Sequence, residues 1–271
     1  MDYKVLKKDS PGYPKRLHER LGSEAPSELY YYGSLSHLKH FTMAVISADS
    51  ISGLAMMAAN QALFTIREYA MNYIGSWHSV METEIFRLGL FRKNVRMTLF
   101  SAKGLGKETF ESFLNHRFCP PLHEFPERDE YDRRAREGEL LILSLTPPSE
   151  GRTLKKNVMA RNWVACALAD VVFVPFAARG TKTLAIAKRV VEAGIPIFTT
   201  DEAENSALHT LGITGLDRKT VGDYLEKLGA VKVDEQERAT SEASVQEPVL
   251  KYSSKSQAPE QIPLWKRKQS S

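Results

Sequence analysis

A chain of 271 residues with 42% hydrophobic content is long enough to bury one large core, and none of its apolar runs approaches the roughly 20 residues that span a bilayer. A net charge of +4 excludes a global field that would draw the chain onto nucleic acid, so any such binding must come from a local concentration of charge. Two cysteines, Cys119 and Cys166, exclude a disulfide framework and a cysteine-built metal site; with no apolar h-region in residues 1–14, a cytoplasmic location is expected.

Residues 1–40 read as a lead-in: a Ser-Pro-Gly-Tyr-Pro start, a polar helical turn and a tyrosine-rich stretch that closes near Gly33. From Phe41 onward short apolar runs alternate with helical patterns. The runs predict strands over 42–47, 73–75, 95–100, 140–145, 171–176 and 196–199. The patterns predict helices over 54–70, 79–90, 108–116, 154–169 and 181–193. Near-continuous apolar strands separated by helices indicate an α/β fold, a mostly parallel doubly wound sheet with helices on both faces. In the last of these helices Leu184, Ala187, Val190 and Val191 form the expected apolar stripe. Residues 120–138, of mixed charge and with prolines, read as a solvated connection. Residues 217–229 read as a short capped helix. The stretch 231–271 loses its hydrophobic periodicity and gains Ser, Gln and Glu, which predicts a disordered tail, with Ile-Pro-Leu-Trp-Lys-Arg-Lys near its end as a short docking motif. The organisation that follows is a lead-in over 1–40, an α/β domain over 41–216, a helix within 217–230 and a tail over 231–271.

The most informative stretch is 161–200, a strand, a turn over Ala177 to Gly180, a helix, a stop at Gly194 and another strand. Gly180, Thr181 and Lys182 offer free backbone N–H groups, a hydroxyl and a cation at the carboxyl edge of a parallel sheet, where such folds hold phosphates. The same residues are what a plain strand-to-helix turn with a threonine N-cap requires. The full spacing GxxxxGK[ST] is absent, so hydrolysis of a nucleoside triphosphate has no support. Lys103 and Lys107 flank a glycine turn after the strand over 95–100 and belong at the same edge; from Arg87 to Lys107 there are six basic residues and no acid. Such lysines neutralise phosphates without reading sequence, or they decorate a solvated loop. Arg161 and Asn162 either bond phosphate and sugar oxygens or fix the packing between neighbouring strands, while Arg152, Lys155 and Lys156 read as surface. Trp77 could stack on a base, but beside a short strand it reads as core. The histidines show no ligand spacing, so no metal and no cofactor are expected. Glu82 and Glu84, two apart on a helix, point away from each other, so that Glu82 or Glu84 reads as a surface residue and the two not as a general acid–base pair.

Several pieces in order resemble the DNA-processing protein A family, also called the Smf family: Tyr13-Pro14 with Leu17, Ala25-Pro26, Leu29-Tyr30 and Gly33; Gly104-Leu105; Arg161-Asn162; Gly180-Thr181 with Ala185; and Asn205 through Leu208 with Gly212. The resemblance covers residues 10–216. It implies a Rossmann-like domain that binds single-stranded DNA without catalysis, forms a homodimer and helps to load a recombinase during DNA uptake, or natural transformation, and recombination. On that reading Lys103, Lys107, Arg161, Asn162, Gly180, Thr181 and Lys182 contact phosphate. The chain departs from the family where a Gly-Ser-Arg turn normally ends the first strand. Here Ser47-Ala48-Asp49-Ser50 puts a carboxylate in place of the arginine. The second glycine-rich segment is reduced to Gly75-Ser76-Trp77-His78, and Thr199-Thr200-Asp201 stands where Pro-Gly usually follows the last strand. A changed ligand would make the domain a nucleotide sensor. A third reading, a phosphoribohydrolase-like enzyme, lacks its carboxylate, because Leu184 stands at the glutamate position of that group's motif.

Overall fold

The computed structural model describes residues 1–233; the expected disordered tail from residue 234 on, with the motif at 262–268, lies outside the described residues. The lead-in is built into the sheet. β1 (Lys4–Lys7) and β2 (Glu28–Tyr32) pair antiparallel, and β2 pairs antiparallel with β6 (Leu140–Ser144). Between β1 and β2, α1 (Lys15–Leu21) buries Leu17 and Leu21, while Arg16 pairs with Asp170 and Arg20 donates to the Ala167 carbonyl at 3.0 Å. The remaining strands of the main sheet are parallel: β3 (Thr42–Val45), β4 (Tyr69–Gly75), β5 (Val95–Ser101), β6, β7 (Val171–Val174), β8 (Ile197–Thr200) and β9 (Thr214–Leu216). Their order across the sheet is β6-β5-β4-β3-β7-β8-β9. The chain therefore winds outward from β3 to β6, returns to lay β7 on the other side of β3, and winds outward again. That reversal, between β3 and β7, is the topological switch point of a doubly wound fold.

Side-chain alternation decides the two layers. On β3, Met43 and Val45 enter one core and Ala44 the other; on β7, Val171 and Phe173 face the first, Val172 and Val174 the second. The first core is covered by α2 (Gly53–Ile66), α3 (Val80–Leu90), α4 (Phe110–His116), α5 (Glu127–Arg136) and α9 (Val221–Lys227). The second is covered by α1, α6 (Lys155–Leu168), α7 (Lys182–Glu192) and α8 (Ser206–His209). Each fully buried Leu, Ile or Phe contributes about 1.5–3 kcal/mol from surface removed from water. β10 (Val231–Lys232) pairs antiparallel with the start of β4. Among the described residues no helix is long and apolar enough to cross a membrane.

Beyond the start of the expected tail at 231, where β10 pairs with β4 instead of being disordered, three sequence expectations change. The segment 120–138 is not a solvated connection: α5 buries Tyr131 and Ala135, and Arg134 reaches inward to the Val95 carbonyl at 3.0 Å and the Arg92 carbonyl at 2.8 Å while pairing with Glu130. A mixed-charge helix can be core-facing when its long side chains satisfy strand carbonyls. The strand expected at 73–75 starts at Tyr69, and α2 stops at Ile66, because the Asn94 amide bonds the carbonyls of Arg67 and Tyr69 and turns the chain into the sheet. On α7 the stripe is rotated: Ile186, Ala187 and Val190 are buried and Val191 is exposed.

The loop after β5 runs against the loop after β6, with Gly104 N–H donating to the Glu150 carbonyl at 2.8 Å. A Cβ on Gly104 would lie 2.0 Å from the Pro147 carbonyl oxygen and 2.6 Å from the Pro148 carbonyl carbon. Both are backbone atoms, so the two loops would have to part. Gly104→Ala is expected to cost about 2 kcal/mol or more, seen as a lower urea midpoint at an unchanged m-value.

Candidate nucleic-acid interface

The carboxyl ends of the parallel strands open into a cleft of about 560 Å³ at the switch point. One wall is the segment Ser47–Ser50 after β3; the opposite wall is the turn Gly180–Thr183 after β7. Lys103 after β5, Thr153 after β6 and Val158, Arg161 and Asn162 of α6 complete it, with Glu108, Ser112 and Arg117 behind. The parallel topology directs the N-termini of α2, α6 and α7 to this edge, where their unsatisfied N–H groups and positive dipole ends favour an anion.

The floor is set by Glu82, the third residue of α3. The sequence reading of Glu82 as a surface residue is wrong: it is 3% exposed. Its carboxylate accepts from Ser47 N–H at 2.9 Å, from the Ser76 hydroxyl at 2.7 Å and from His78 N–H at 3.1 Å. It thus ties the end of β3 to the end of β4. Between the two residues it holds on the β4 side, Trp77 has φ 57°, a left-handed conformation that costs a bulky residue about 1–3 kcal/mol. The Trp77 ring is buried in the core, as expected, with its indole N–H donating to the Thr98 carbonyl at 3.0 Å. The signal for Glu82 was present in the sequence as Ser79-x-x-Glu82, a capping-box spacing. Ser79 does cap α3 by accepting from Glu82 N–H at 3.2 Å, but the glutamate turns to the strand ends instead of back to Ser79.

A second buried carboxylate, Glu108, is equally occupied. It accepts from the Ser101 hydroxyl at 2.9 Å and the Ser112 hydroxyl at 2.6 Å, and pairs with Arg117 at 3.1 Å. Burial lowers the pKa of Arg117, and Glu108 works against that shift. Neither Arg117 nor Glu108 was legible as part of a site.

Arg161 differs. It is 5% exposed and in no ion pair among the described residues; Nε donates to Asn162 Oδ1 at 3.0 Å and one terminal nitrogen reaches the Phe100 carbonyl at 3.5 Å. Burial is the main cause that pushes its pKa down to about 9, the like charge of Arg117 adds to this, and Glu82 opposes it. A buried guanidinium without a carboxylate is an unmet demand for an anion. Ser47, 7% exposed, also lines the cleft, and its hydroxyl has no hydrogen-bond partner among the described residues.

Six of the seven residues singled out from sequence meet here: Lys103, Arg161, Asn162, Gly180, Thr181 and Lys182 all line the cleft. Lys107 does not; it is exposed, on the far side of the 3-10 turn that follows Gly104, with its stem beside Gly151. Thr181 is the N-cap of α7: its hydroxyl accepts from Leu184 N–H at 3.2 Å and donates to the Ala178 carbonyl at 2.7 Å. Gly180 supplies the φ of 77° that this turn needs. Lys103 is half-buried and Lys182 exposed, neither in an ion pair among the described residues. Asp49 is exposed on the opposite wall. Once Arg117 has paired with Glu108, the cations Lys103, Arg161 and Lys182 face Asp49 as the one unpaired carboxylate of the lining.

No protein-family model matches the chain, and no curated protein matches it in sequence. Solved structures do match. The X-ray structure of DNA processing protein A from Streptococcus pneumoniae superposes with a TM-score of 0.64 at 18% identity, covering 83% of this chain and 74% of that one. DNA processing protein A from Helicobacter pylori, in a structure concerned with its single-stranded DNA binding mode, gives 0.61 at 17% identity, over 83% of this chain and 96% of that one. The chain thus has the Rossmann-like fold of DNA processing protein A, which is the fold its sequence resemblance implies.

The Glu82 clamp generates a sharp expectation. Glu82→Gln keeps the shape but puts an amide NH₂ against a set of three donors, so at least one of Ser47 N–H, His78 N–H or the Ser76 hydroxyl loses its acceptor. Stability should fall by about 2–3 kcal/mol, measured by urea denaturation. An equally stable Glu82→Gln variant would mean that the strand ends are held by something else.

Proposed function

We propose that this chain is a divergent protein of the DNA-processing protein A type that binds single-stranded DNA across the carboxyl edge of its sheet, without catalysing a reaction on it. The observation that carries the reading is the buried, uncompensated Arg161 at the base of a cleft whose other unpaired cations are Lys103 and Lys182. Such a site attracts phosphate irrespective of base, and no aromatic ring other than the His78 imidazole lines it. The likeness to the Helicobacter pylori structure, concerned with single-stranded DNA, supports the same ligand. Glu82 and Glu108 are committed to strand-end and arginine contacts, which leaves neither free as a general base. On the sequence resemblance to that family, the proposal extends to a role in DNA uptake or recombination in the cytoplasm, with a recombinase and a second copy of the chain as partners.

A second reading, a nucleotide sensor, draws on two observations: the cleft has the volume of a small-ligand site, and Asp49 opposes the extended polyanion that a strand presents. Anisotropy of a labelled oligo-dT, titrated from about 50 to 200 mM salt with mononucleotides as competitors, separates the two, because a strand displaces several counterions and a mononucleotide few. Strand binding is expected to fall steeply with salt. The combined replacement Lys103→Ala, Arg161→Ala and Lys182→Ala should weaken it about tenfold or more, at roughly 1 kcal/mol or more per phosphate contact. Lys107→Ala, outside the cleft, should change it by less than about twofold. Unchanged binding in the triple variant would move the ligand to another surface.

A further inference from the structure

We infer that the cleft is selective for a phosphomonoester, the terminal phosphate of a strand, over the phosphodiesters within it. The inference rests on the cleft being the phosphate site proposed above, and goes further in naming which phosphate it takes.

The first argument is depth. Arg161 is 5% exposed and sits on α6 behind the cleft mouth formed by Ser47–Ser50 and Gly180–Thr183. A phosphodiester carries a sugar on each side, so both must be drawn in for its oxygens to meet a guanidinium at that depth. A terminal phosphate carries one ester and three free oxygens, and can enter end-on. The second is charge. A phosphodiester bears one negative charge, a phosphomonoester about −1.5 to −2 near pH 7. Lys103, Arg161 and Lys182, opposed by Asp49, leave an excess of two positive charges in a lining where Arg117 is already neutralised by Glu108. That excess matches the monoester. The third is an independent, unmet donor: the Ser47 hydroxyl is buried, lines the cleft and has no partner among the described residues. It lies at the residue whose backbone N–H is held by Glu82, so its position is fixed from beneath. A guanidinium, a hydroxyl and two ammonium groups give a terminal phosphate's three oxygens more donors than a diester's two can use.

The test uses the full chain and oligo-dT strands of equal length ending in a 5′-phosphate, a 3′-phosphate or hydroxyls only, with inorganic phosphate and dTMP as competitors. A strand with a terminal phosphate is expected to bind about tenfold tighter than the hydroxyl-ended strand, the effect of one additional charge-assisted contact set. Inorganic phosphate should erase that preference, bringing the phosphorylated strands down to the affinity of the hydroxyl-ended one. Arg161→Gln should abolish the preference, and Ser47→Ala, a smaller change that leaves the Glu82 bond to the backbone intact, should reduce it. If dTMP competes only far above the strand's own concentration range, the monoester is a strand end; if it competes as well as the phosphorylated strand, the monoester is a free nucleotide. Equal affinity for all three strands would overturn the inference and leave strand binding intact. Binding of no strand, no dTMP and no phosphate would overturn the inference together with the function it rests on.

Discussion

Glu82 accepts backbone N–H groups from the ends of two adjacent parallel strands and the hydroxyl of Ser76, just past the end of β4, in a position with almost no water. A buried carboxylate is tolerated only when its lone pairs are filled, and these three donors fill them. The same bonds hold Ser76 and His78 on either side of Trp77, whose left-handed backbone would otherwise relax. They also have an electrostatic consequence. Because Glu82 is committed to the strand ends and Glu108 to Arg117, neither buried acid is left to neutralise Arg161. On the proposed reading, the cleft takes an anion because its carboxylates are used elsewhere.

The topology explains why these groups converge. Side chains at the end of β7 come from a part of the sequence more than a hundred residues beyond those at the end of β3, and only the return of the chain from β6 to β7 brings Ser47 opposite Gly180. Helices that follow parallel strands must begin at the carboxyl edge, so the N-termini of α2, α6 and α7 meet at that reversal as a matter of connectivity. The two hydrophobic cores, separated by alternation along each strand, hold this edge in place. The lead-in adds to that support, since α1 buries its leucines in the second core and Arg16 anchors it to Asp170 beside β7, where Asp170 also accepts from Thr42 N–H at the start of β3.

Much of this was legible in the sequence, and the reasons for the misses are physical. Continuous apolar strands and the glycine-threonine turn gave the parallel sheet and the α7 N-terminus, because backbone geometry leaves a local mark. Arg161 and Asn162 stand out through a resemblance, but what makes Arg161 unusual, its reach to the Phe100 carbonyl and the like charge of Arg117, involves residues distant in sequence. Glu82 was misplaced because helix spacing describes only which way a side chain leaves its own helix. The donors that draw it inward, Ser47 above all, lie on other elements. α5 was missed for a related reason: Arg134 is charged in the sequence, yet its partners are carbonyls of Arg92 and Val95, which no composition reveals. Lys107, by contrast, sits close to Lys103 in sequence, but the 3-10 turn between them carries it out of the cleft.

A crystal structure of the full chain with a short oligo-dT asks whether Arg161 contacts phosphate at the switch point. The expected result is a phosphate group within hydrogen-bond distance of the Arg161 guanidinium, at roughly 2.7–2.9 Å, between the Ser47 hydroxyl and Lys182. An oligonucleotide bound on another face, with Arg161 still bonded only to Asn162 and Phe100, would contradict it.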